Sequence, residues 1–471
     1  MEQSKKRFYL SGEARSKADE TANRLCRRWQ LLCERFLPVQ FEDSIWRISR
    51  DSTLKEPLQG WKLHLSATIF EACDLFERVA PFLISEDVQF KAPKCLEKLS
   101  SLNCGLQYGY WQVGKFITVY PSTEKQAVEL AGQLHELTKD FFTISVPFDE
   151  QYLPESSVFY RYGAFSKIEK TDENGKVFLA IQNSAEEFVV DDRLQAVPEW
   201  ISDPFPKNGS AGGKTFADTP LGIAYKVFRA IKQRGKGGTY QAVDFSQNTP
   251  RFCVVKEGRQ NGELGWNGQD GYFLVQNEFE VLKVLKEKYD AVPQVFASFE
   301  IFGNFYFVME YVEGKSLYEI MQTRRRRFSI GKVLELAAEI AKIIENIHRA
   351  GWVWNDCKPP NLIVTPDNSL RPIDFEGAYR ANQPEPFDWK SKSFSSPSQN
   401  VGKAADIYAL GAVIYFLLTG IFYDAENQKG IDKLRRNVPQ KLIEITGKML
   451  SAPDFDISEA RKEFKKIADS I

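Results

Sequence analysis

Hydrophobic and polar positions in the first part of the chain alternate with two different periods. From Arg15 to Phe36 the apolar residues recur at roughly helical spacing on one stripe, which predicts a helix that faces a core. Residues 60–67, GWKLHLSA, alternate strictly, so the tryptophan and both leucines point one way while Lys62 and His64 point the other. This segment is predicted to be a strand that presents a lysine and a histidine side by side.

Further segments of strand character carry cations and phenols. Lys91 lies in VQFKAP, Arg161 lies in VFYRYGAF, and GKFITVYP places Lys115 on the opposite face from Tyr120. An isolated polar strand face is usually only solvated. Several cations on one small sheet are instead what an anionic ligand requires.

The longest apolar run, from Ile407 to Tyr423, is predicted to be a buried helix rather than a membrane span. It is short, contains glycines and follows Asp406. A second helix is predicted from Ile330 to His348, with Ser329 as its N-terminal cap.

Length and composition limit the classes of function. A chain of 471 residues is too long for one core and predicts two or three domains. The net charge of -1 argues against bulk electrostatic binding to nucleic acid or to an anionic membrane. The seven cysteines show no C-x-x-C pairing, and with three histidines no zinc-ligand spacing can be assembled. We therefore expect reduced thiols, no zinc and a cytoplasmic protein.

Residues 202–220 are rich in proline, glycine and serine and are predicted to be a linker. Within them, GSAGGKT approaches a phosphate-binding loop. However, Asn208 stands where that motif needs its first glycine, and no apolar strand precedes it. We reject nucleotide binding at this segment.

The segment from Trp352 to Ala378 carries the clearest chemical pattern, with Asn361 five residues after Asp356 and with Asp374 opening a D-F-x turn. It resembles the protein kinase motifs D-x-K-P-x-N and D-F-G. The resemblance implies that Asp356 accepts the proton of the acceptor hydroxyl, that Lys358 faces the transferring phosphoryl group, and that Asn361 and Asp374 hold Mg²⁺. A surface hairpin of turn-forming residues is the alternative, and it does not explain four polar residues in register between apolar strands.

A glycine-rich segment lies where a kinase would place its phosphate-covering loop. Gly235, Gly237 and Gly238 are expected to let backbone amides approach the phosphates of a nucleotide. Tyr240 stands at the third glycine of the kinase pattern, so the loop is divergent.

The kinase resemblance implies further nucleotide contacts between this loop and the catalytic segment. Lys256 matches the strand lysine and Glu278 matches its helix partner, with Glu280 as the alternative. The backbone from Glu310 to Val312 matches the hinge that meets a purine, and Met309 is the gatekeeper. The implied cofactors are ATP (or GTP) and Mg²⁺.

Three motifs in order, GWKLHLSA, GKFITVYP and YRYGAF, resemble the N-terminal lyase domain of class III and IV lanthipeptide synthetases. That domain is similar to bacterial phosphothreonine lyases. The resemblance implies β-elimination of phosphate from phosphoserine or phosphothreonine. Lys91 would take the α-proton, with Lys94 as a rival for this role. Lys62 would stabilise the enolate-like charge, and His64 would protonate the departing phosphate oxygen.

Arg161 is suited to bidentate phosphate binding, and Tyr120 and Lys115 are candidates for further phosphate or backbone contacts. A lysine is a poor base at its reference pKa of about 10.4, so the pKa of Lys91 must be lowered by burial or by neighbouring cations. Lys62 and Arg161 could supply that field.

The catalytic segment of the kinase-like half departs from its family pattern at three positions. Trp354 and Asn355 replace the usual His and Arg, which removes the partner of an activation-loop phosphate and predicts a constitutively active kinase. Glu376 replaces the glycine of D-F-G, which should restrict the inactive flip. Aminoglycoside-type kinases also have divergent metal loops, so a small-molecule acceptor stays open, although Lys358 and the N-terminal domain argue against it.

We therefore expect an α+β chain of two domains: a phosphothreonine-lyase-like domain (1–201), a linker (202–220) and a bilobal kinase with its small lobe and hinge at 221–315 and its large lobe at 316–471. The leading hypothesis is a bifunctional dehydratase that phosphorylates Ser/Thr of a precursor peptide and then eliminates the phosphate. A kinase with a non-catalytic phosphopeptide-binding module is the rival, and a pseudokinase scaffold is a third reading. The chain stops where the family continues into a cyclase, so a separate cyclase is an expected partner, unless the product keeps its dehydrated residues or the chain is a fragment.

Overall fold

The computed structural model describes residues 12–38, 42–50, 57–206, 215–324, 326–383, 385, 391, 393–395, 402–426, 429–451 and 456–470. The centre of the predicted linker, residues 207–214, lies outside the described residues, and so does nearly all of GSAGGKT. Helices and sheets are mixed throughout the described parts, which confirms the α+β prediction.

The N-terminal part is built on a six-stranded antiparallel sheet in the order β1-β3-β4-β2-β6-β5. A separate three-stranded sheet, β7-β8-β9, follows it. The elements are α1 (Gly12–Phe36), β1 (Trp46–Ile48), β2 (Gln59–Leu65), α2 (Ala72–Ser85), β3 (Gln89–Pro93), α3 (Leu96–Cys104), β4 (Ile117–Tyr120), α4 (Glu124–Thr138), β5 (Glu150–Gln151), β6 (Val158–Ala164), β7 (Glu169–Thr171), β8 (Val177–Gln182) and β9 (Phe188–Val190).

Alternation along β2 decides which face of this sheet is covered. Trp61, Leu63 and Leu65 are buried in the N-terminal core, as predicted. The stripe of α1 packs into the same core, where the Trp29 ring lies 4.9 Å from the Phe76 ring of α2. Burial of these large rings supplies most of the driving force for this layer, because apolar area removed from water dominates folding energetics.

The second part has a sheet-rich lobe followed by a helical lobe. Its five-stranded sheet has the order β10-β11-β12-β14-β13. The elements are α5 (Pro220–Ala224), β10 (Tyr225–Arg234), β11 (Gly237–Asp244), β12 (Arg251–Gly258), α6 (Gly271–Lys286), β13 (Val295–Ile301), β14 (Asn304–Glu310), β15 (Lys315–Ser316), α7 (Leu317–Thr323), α8 (Ile330–Arg349), β16 (Trp352–Val353), β17 (Leu362–Val364), β18 (Leu370–Pro372), β19 (Tyr379–Arg380), α9 (Lys403–Thr419), α10 (Ile431–Leu434), α11 (Gln440–Ser451) and α12 (Ile457–Ala468).

Most of the long apolar run lies in α9, which is buried almost throughout, as predicted. The last four residues of the run follow the helix, and Ile421 and Phe422 among them are exposed. The helix ends at Gly420, whose φ of 76° is the left-handed conformation that favours glycine at a helix C-terminus. Ser329 caps α8 by accepting from the Lys332 amide at 3.1 Å. None of the helices in the described ranges combines the length and apolarity that crossing a bilayer would need.

The two parts of the chain meet at the hairpin between β10 and β11. The amide of Gly235 in this hairpin donates a hydrogen bond to the Cys104 carbonyl at the end of α3, at 3.1 Å. A Cβ at Gly235 would collide with the Asn103 carbonyl oxygen, so only glycine fits this approach. In the loop after β12, the Trp266 ring packs 5.7 Å from that of Phe70 and completes the contact.

Candidate functional site

The polar face of the six-stranded sheet gathers residues from four strands. Lys62 pairs with Arg161 across β2 and β6. His64 pairs with Thr118 on β4, and Thr118 pairs with Lys91 on β3. Directly opposed residues of adjacent strands project from the same face, so these side chains share one surface.

Lys115 and Tyr120 lie at the same surface. The Nζ of Lys91 lies 5.8 Å from the centre of the Tyr120 ring and 4.7 Å from that of Trp46. Lys115 precedes β4, so strand alternation does not govern it, and its Nζ reaches Asp149 at 3.0 Å on the His64 side of the sheet. The expectation that Lys115 faces away from Tyr120 is therefore wrong. We call the following residues the cation cluster: Lys62, His64, Lys91, Lys115, Tyr120 and Arg161.

Asp149 is a member of this site that sequence reasoning missed. One carboxylate oxygen lies 2.5 Å from Nδ1 of His64, and the other accepts from Nζ of Lys115 at 3.0 Å. Its side chain is 1% exposed. Burial opposes ionisation, but His64 and Lys115 outweigh it and lower the pKa of Asp149 to about 2. Asp149 is therefore an anion that orients the histidine ring and fixes the proton on Nδ1.

Three bases of the cation cluster, Lys62, His64 and Lys115, have lowered pKa values, and burial is the largest cause in each case. Burial, followed by the charge of Arg161, lowers the pKa of Lys62 to about 7 against the opposing effect of Asp191. Burial and Lys115 lower the pKa of His64 to about 3, against the opposing effect of Asp149. The site on its own thus disfavours protonation of these bases. A bound anion would favour their protonated forms.

Arg161 is held by a second buried acid that was not predicted. Its Nη2 donates to Asp191 at 2.7 Å, and both side chains are buried. Nearby Arg193 lies over the Trp111 ring at 5.8 Å, and burial lowers its pKa. These arginines widen the anion site beyond the residues that the motifs named.

The structure distinguishes between the two lysines proposed as the lyase base. Lys91 lies within β3 and in the cross-strand row of His64. Lys94 follows the end of β3 at Pro93, and its amide donates to the Ile45 carbonyl at 2.9 Å. The geometry favours Lys91, because only Lys91 is placed on the polar face by the strand pairing.

A second site lies between the sheet-rich and helical lobes and centres on Lys256 of β12. Its Nζ lies 2.5 Å from Glu278, 2.9 Å from Asp374 and 3.4 Å from Glu376. Although burial lowers it, these carboxylates raise the pKa of Lys256 well above its ordinary value. Glu278 is fully buried and makes the ion pair, whereas Glu280 is only partly buried, so the structure favours Glu278 as the partner.

The catalytic segment positions Asp356 at the edge of this second site. Nζ of Lys358 lies 2.7 and 2.8 Å from its two oxygens, and the Asn361 amide donates to Oδ2 at 2.8 Å. Ser391, a residue that was not predicted, donates to Oδ1 at 2.9 Å. Burial raises the pKa of Asp356. The carboxylate is thus oriented by three donors, as a group that must meet a hydroxyl proton requires.

Asp406 ties this catalytic segment to α9. It accepts from the backbone amides of Trp354 at 2.9 Å and Asn355 at 2.7 Å, and it lies 2.8 Å from Nε2 of His348. The Trp354 ring stacks on the Phe375 ring at 5.5 Å. The tryptophan therefore replaces the usual histidine by packing against the D-F-E turn.

The hinge residues lie at the end of β14. Met309 is buried and pairs with Val254 of β12. The Glu310 side chain forms a bidentate pair with Arg371, one contact of which measures 2.9 Å. This pair leaves the backbone that follows, including Val312, as the part of the hinge that can meet a purine edge.

The glycine-rich segment differs from its predicted role at one position. Gly235 was expected to offer its amide to a phosphate, but that amide is bonded to the Cys104 carbonyl. The segment is a tight hairpin in which Arg234 pairs with Gly237, so Lys236 lies at its tip. The side chain of Lys236 is buried and contacts Glu376. Sequence reasoning missed this lysine because it considered only the backbone of the loop.

The donor set of the second site fits a hard divalent cation. Carboxylate oxygens of Glu278, Asp374 and Glu376 lie within 4.8 Å of one another. Oxygen donors are the ligands that Mg²⁺ prefers. Asp374 remains ionised, because Lys256 and Lys236 outweigh its burial and lower its pKa.

Two family models match the chain, and they match its two parts. The RamC N-terminal domain model matches residues 39–214. The protein kinase domain model matches residues 228–469. The order of the two domains is the one that the motifs indicated.

Curated relatives share parts of this architecture. The protein called probable SapB synthase of Streptomyces coelicolor is 26% identical over 427 residues, which is 87% of this chain and 44% of that protein. Serine/threonine-protein kinase F of Synechocystis is 30% identical over 260 residues, which is 49% of this chain and 52% of that protein. Serine/threonine-protein kinase C of Synechocystis is 28% identical over 47% of this chain and 45% of that protein. The chain thus spans about half the length of these relatives.

Proposed function

This chain belongs to the protein kinase family, and from that premise we propose that it dehydrates Ser and Thr residues of a peptide in two steps. Its kinase half phosphorylates the hydroxyl, and its N-terminal half eliminates the phosphate to leave dehydroalanine or dehydrobutyrine. The observation that carries the proposal is the presence of two complementary sites on one chain. One gathers carboxylates around Lys256, as phosphoryl transfer would require, and the other is a largely buried cation cluster that suits a phosphate dianion.

For the first step, Asp356 accepts the proton of the acceptor hydroxyl while Lys358 and Asn361 hold its carboxylate in place. Mg²⁺-bound ATP (or GTP) supplies the phosphoryl group. Asn361 and Asp374 would hold the metal, and Lys256, fixed by Glu278, would face the α- and β-phosphates. The hinge backbone from Glu310 to Val312 would receive the purine, and the amides of Gly237 and Gly238 remain candidates for phosphate contacts.

For the second step, Lys91 removes the α-proton, and the electrons of that C–H bond form the α,β double bond as the β-carbon loses its phosphate. Lys62 faces the carbonyl oxygen on which negative charge develops. His64, oriented by Asp149, gives a proton to the leaving phosphate oxygen. Arg161 holds the remaining phosphate oxygens, and Lys115 and Tyr120 line the same surface.

The lowered pKa values at this site are consistent with the second step. Near neutral pH and with no anion bound, Lys62 with a pKa of about 7 is about half protonated, and His64 with a pKa of about 3 is neutral. A bound phosphate dianion raises both values, because an opposite charge favours the protonated form. His64 therefore becomes an acid only when its substrate is present.

One observation favours a second assignment of roles. Lys62 is the lysine whose pKa is lowered to about 7, which is the value a general base needs near neutral pH. Exchange of roles between Lys62 and Lys91 is therefore the alternative. It is tested by asking which single variant abolishes exchange of the α-proton of a phosphopeptide with D₂O.

The rival function is a protein kinase whose first domain only binds phosphopeptides. A synthetic phosphoserine peptide separates the two functions without the kinase step. The proposed lyase releases inorganic phosphate and leaves a dehydrated peptide in the mass spectrum. Intact phosphopeptide bound to the protein, with no phosphate released, would instead establish the rival.

Kinase activity is tested separately with a Ser/Thr peptide, nucleotide and Mg²⁺. A peptide that loses water with the native chain should remain unmodified with the Asp356→Asn variant. It should accumulate as phosphopeptide with the His64→Ala variant. The proposed partners are a ribosomal precursor peptide and a cyclase that acts on the dehydrated product, and the proposed location is the cytoplasm, where thiols stay reduced.

A further inference from the structure

Lys236 occupies the tip of the hairpin that covers the kinase site. Its neighbours Arg234 and Gly237 pair with each other, so the turn contains only Gly235 and Lys236. The side chain of Lys236 points inward, is buried, and contacts the Glu376 carboxylate. A lysine at the tip of this hairpin provides an ammonium group that can contact an anion, in addition to the backbone amides of the hairpin.

The position of Lys236 is fixed from both sides. The amide before it is bonded to the Cys104 carbonyl at 3.1 Å, and its own carbonyl accepts from the Arg259 amide at 2.8 Å. Gly237 has a φ of 142° and approaches the Glu257 carbonyl so closely that a Cβ would collide with it. These constraints fix the backbone that carries the Lys236 side chain, and that side chain reaches into the site to contact Glu376.

The charges around Lys236 explain why it would exchange partners. Glu376 stands where kinases have glycine, and it shares Lys256 with Glu278 and Asp374. A divalent cation held by Asn361 and Asp374 would compete with Lys236 for the Glu376 carboxylate, because a carboxylate oxygen of Glu376 lies within 4.8 Å of one of Asp374. The anions that arrive with that cation are the phosphates of the nucleotide, and the Lys236 ammonium would lie beside them.

We propose that Lys236 is a further catalytic residue of the phosphoryl-transfer site, which exchanges Glu376 for the terminal phosphates of the bound nucleotide. This inference rests on the kinase activity proposed above. A fixed ammonium at these oxygens would stabilise the charge that develops there during transfer. Glu376 serves as its counterion while no nucleotide is bound.

Binding of nucleotides that differ in their phosphates tests the proposal without relying on turnover. Affinities of the full chain for Mg²⁺-ATP, Mg²⁺-ADP and adenosine are measured by calorimetry for the native protein and for Lys236→Ala. We expect the variant to lose about 10- to 100-fold in affinity for ATP, which is the range for a charge-assisted contact. Adenosine affinity should stay unchanged. Lys226→Ala, at an exposed position of the preceding strand β10, is the control.

A double-mutant cycle with Glu376→Gln distinguishes a contact of Lys236 with the nucleotide from a purely structural ion pair with Glu376. If Lys236 acts only as the partner of Glu376, its removal in the Glu376→Gln background changes ATP affinity no further, which would overturn the proposal. A persistent ATP-specific loss supports it, and Lys236→Arg, which keeps the charge, should recover part of the affinity.

Three further outcomes overturn the proposal in distinguishable ways. Equal losses for ATP and adenosine in Lys236→Ala would mean that the loop had moved as a whole. A native chain that binds no nucleotide in the presence of Mg²⁺ would remove the kinase assignment itself. Normal ATP binding by Lys236→Ala removes only the role of this lysine.

Discussion

An oxygen of the Asp149 carboxylate lies 2.5 Å from Nδ1 of His64, although the two residues are 85 positions apart in the sequence. The same carboxylate accepts from Lys115 and is almost completely buried. His64 can present Nε2 to a leaving group only while this contact holds Nδ1 and its proton.

We therefore expect Asp149→Asn to slow elimination by about 10²- to 10³-fold, because the amide supplies neither the charge nor the single acceptor that fixes the ring. Phosphate release from a phosphoserine peptide measures this step. Phosphorylation should continue, so phosphopeptide accumulates. Glu150→Gln, on the adjacent exposed acid, is the control and should behave like the native chain. Undiminished phosphate release by Asp149→Asn would refute the role given to this residue.

Anion binding to the cation cluster should weaken as the pH rises. Below pH 7 Lys62 is mostly protonated before an anion binds. Above its pKa of about 7, binding of a dianion requires Lys62 to take up a proton from solvent, which weakens the binding. Sulfate is a suitable probe because it does not titrate in this range. We expect its affinity to fall by up to about tenfold per pH unit between pH 7 and pH 9.

Replacement of Lys62 by methionine should flatten this pH profile. Lys167→Met, at an exposed position of the same domain, should keep the native profile. A native profile that stays level from pH 6 to pH 9 would contradict the assignment of the lowered pKa to Lys62.

Asp406→Ala should destabilise the helical lobe. The substitution leaves the buried amides of Trp354 and Asn355 and the His348 ring without their acceptor. Such losses cost about 2–4 kcal/mol of unfolding free energy. Urea unfolding followed by tryptophan fluorescence measures the change, with exposed Asp424→Ala as the control. A change below about 0.5 kcal/mol, which is usual for a surface substitution, would mean that these bonds do not support the lobe.

Gly235→Ala should open the contact between the two halves, because its Cβ would collide with the Asn103 carbonyl. Cys104 lies directly behind that contact, where Arg234 donates to its sulfur at 3.3 Å. We expect faster alkylation of the Cys104 thiol, read by peptide mass spectrometry. Gly331→Ala on α8, where a Cβ meets nothing within 4 Å, is the control. Equal alkylation rates in the two variants would show that the hairpin tolerates a side chain.

Sequence patterns predicted the residues whose placement depends on local regularity. Strand alternation brought Lys62 and His64 onto one face. The family's spacing selected Glu278 over Glu280, and the structure gives Glu278 the ion pair with Lys256. In each case the geometry follows from one element or from one well-defined motif.

Residues that act through distant contacts could not be predicted in this way. Asp149 stands in an irregular segment before β5, and no periodic pattern connects it to His64. Gly235 was assigned to a phosphate because nothing in the sequence shows that the Cys104 carbonyl takes its amide. Lys236 was overlooked because only the backbone of its loop was considered, and its partner Glu376 lies 140 positions away.

The bond between the Gly235 amide and the Cys104 carbonyl has a thermodynamic consequence. The adjacent Asn103 side chain accepts from the Gly114 amide at 3.2 Å, directly before Lys115. Hydrogen bonds through neighbouring residues thus connect the glycine-rich hairpin of the kinase site to Lys115 of the cation cluster. Any coupling that these bonds carry must be reciprocal: the factor by which a nucleotide changes phosphate affinity is the factor by which phosphate changes nucleotide affinity. Phosphate, the product proposed for the second reaction, would then be an effector of the first.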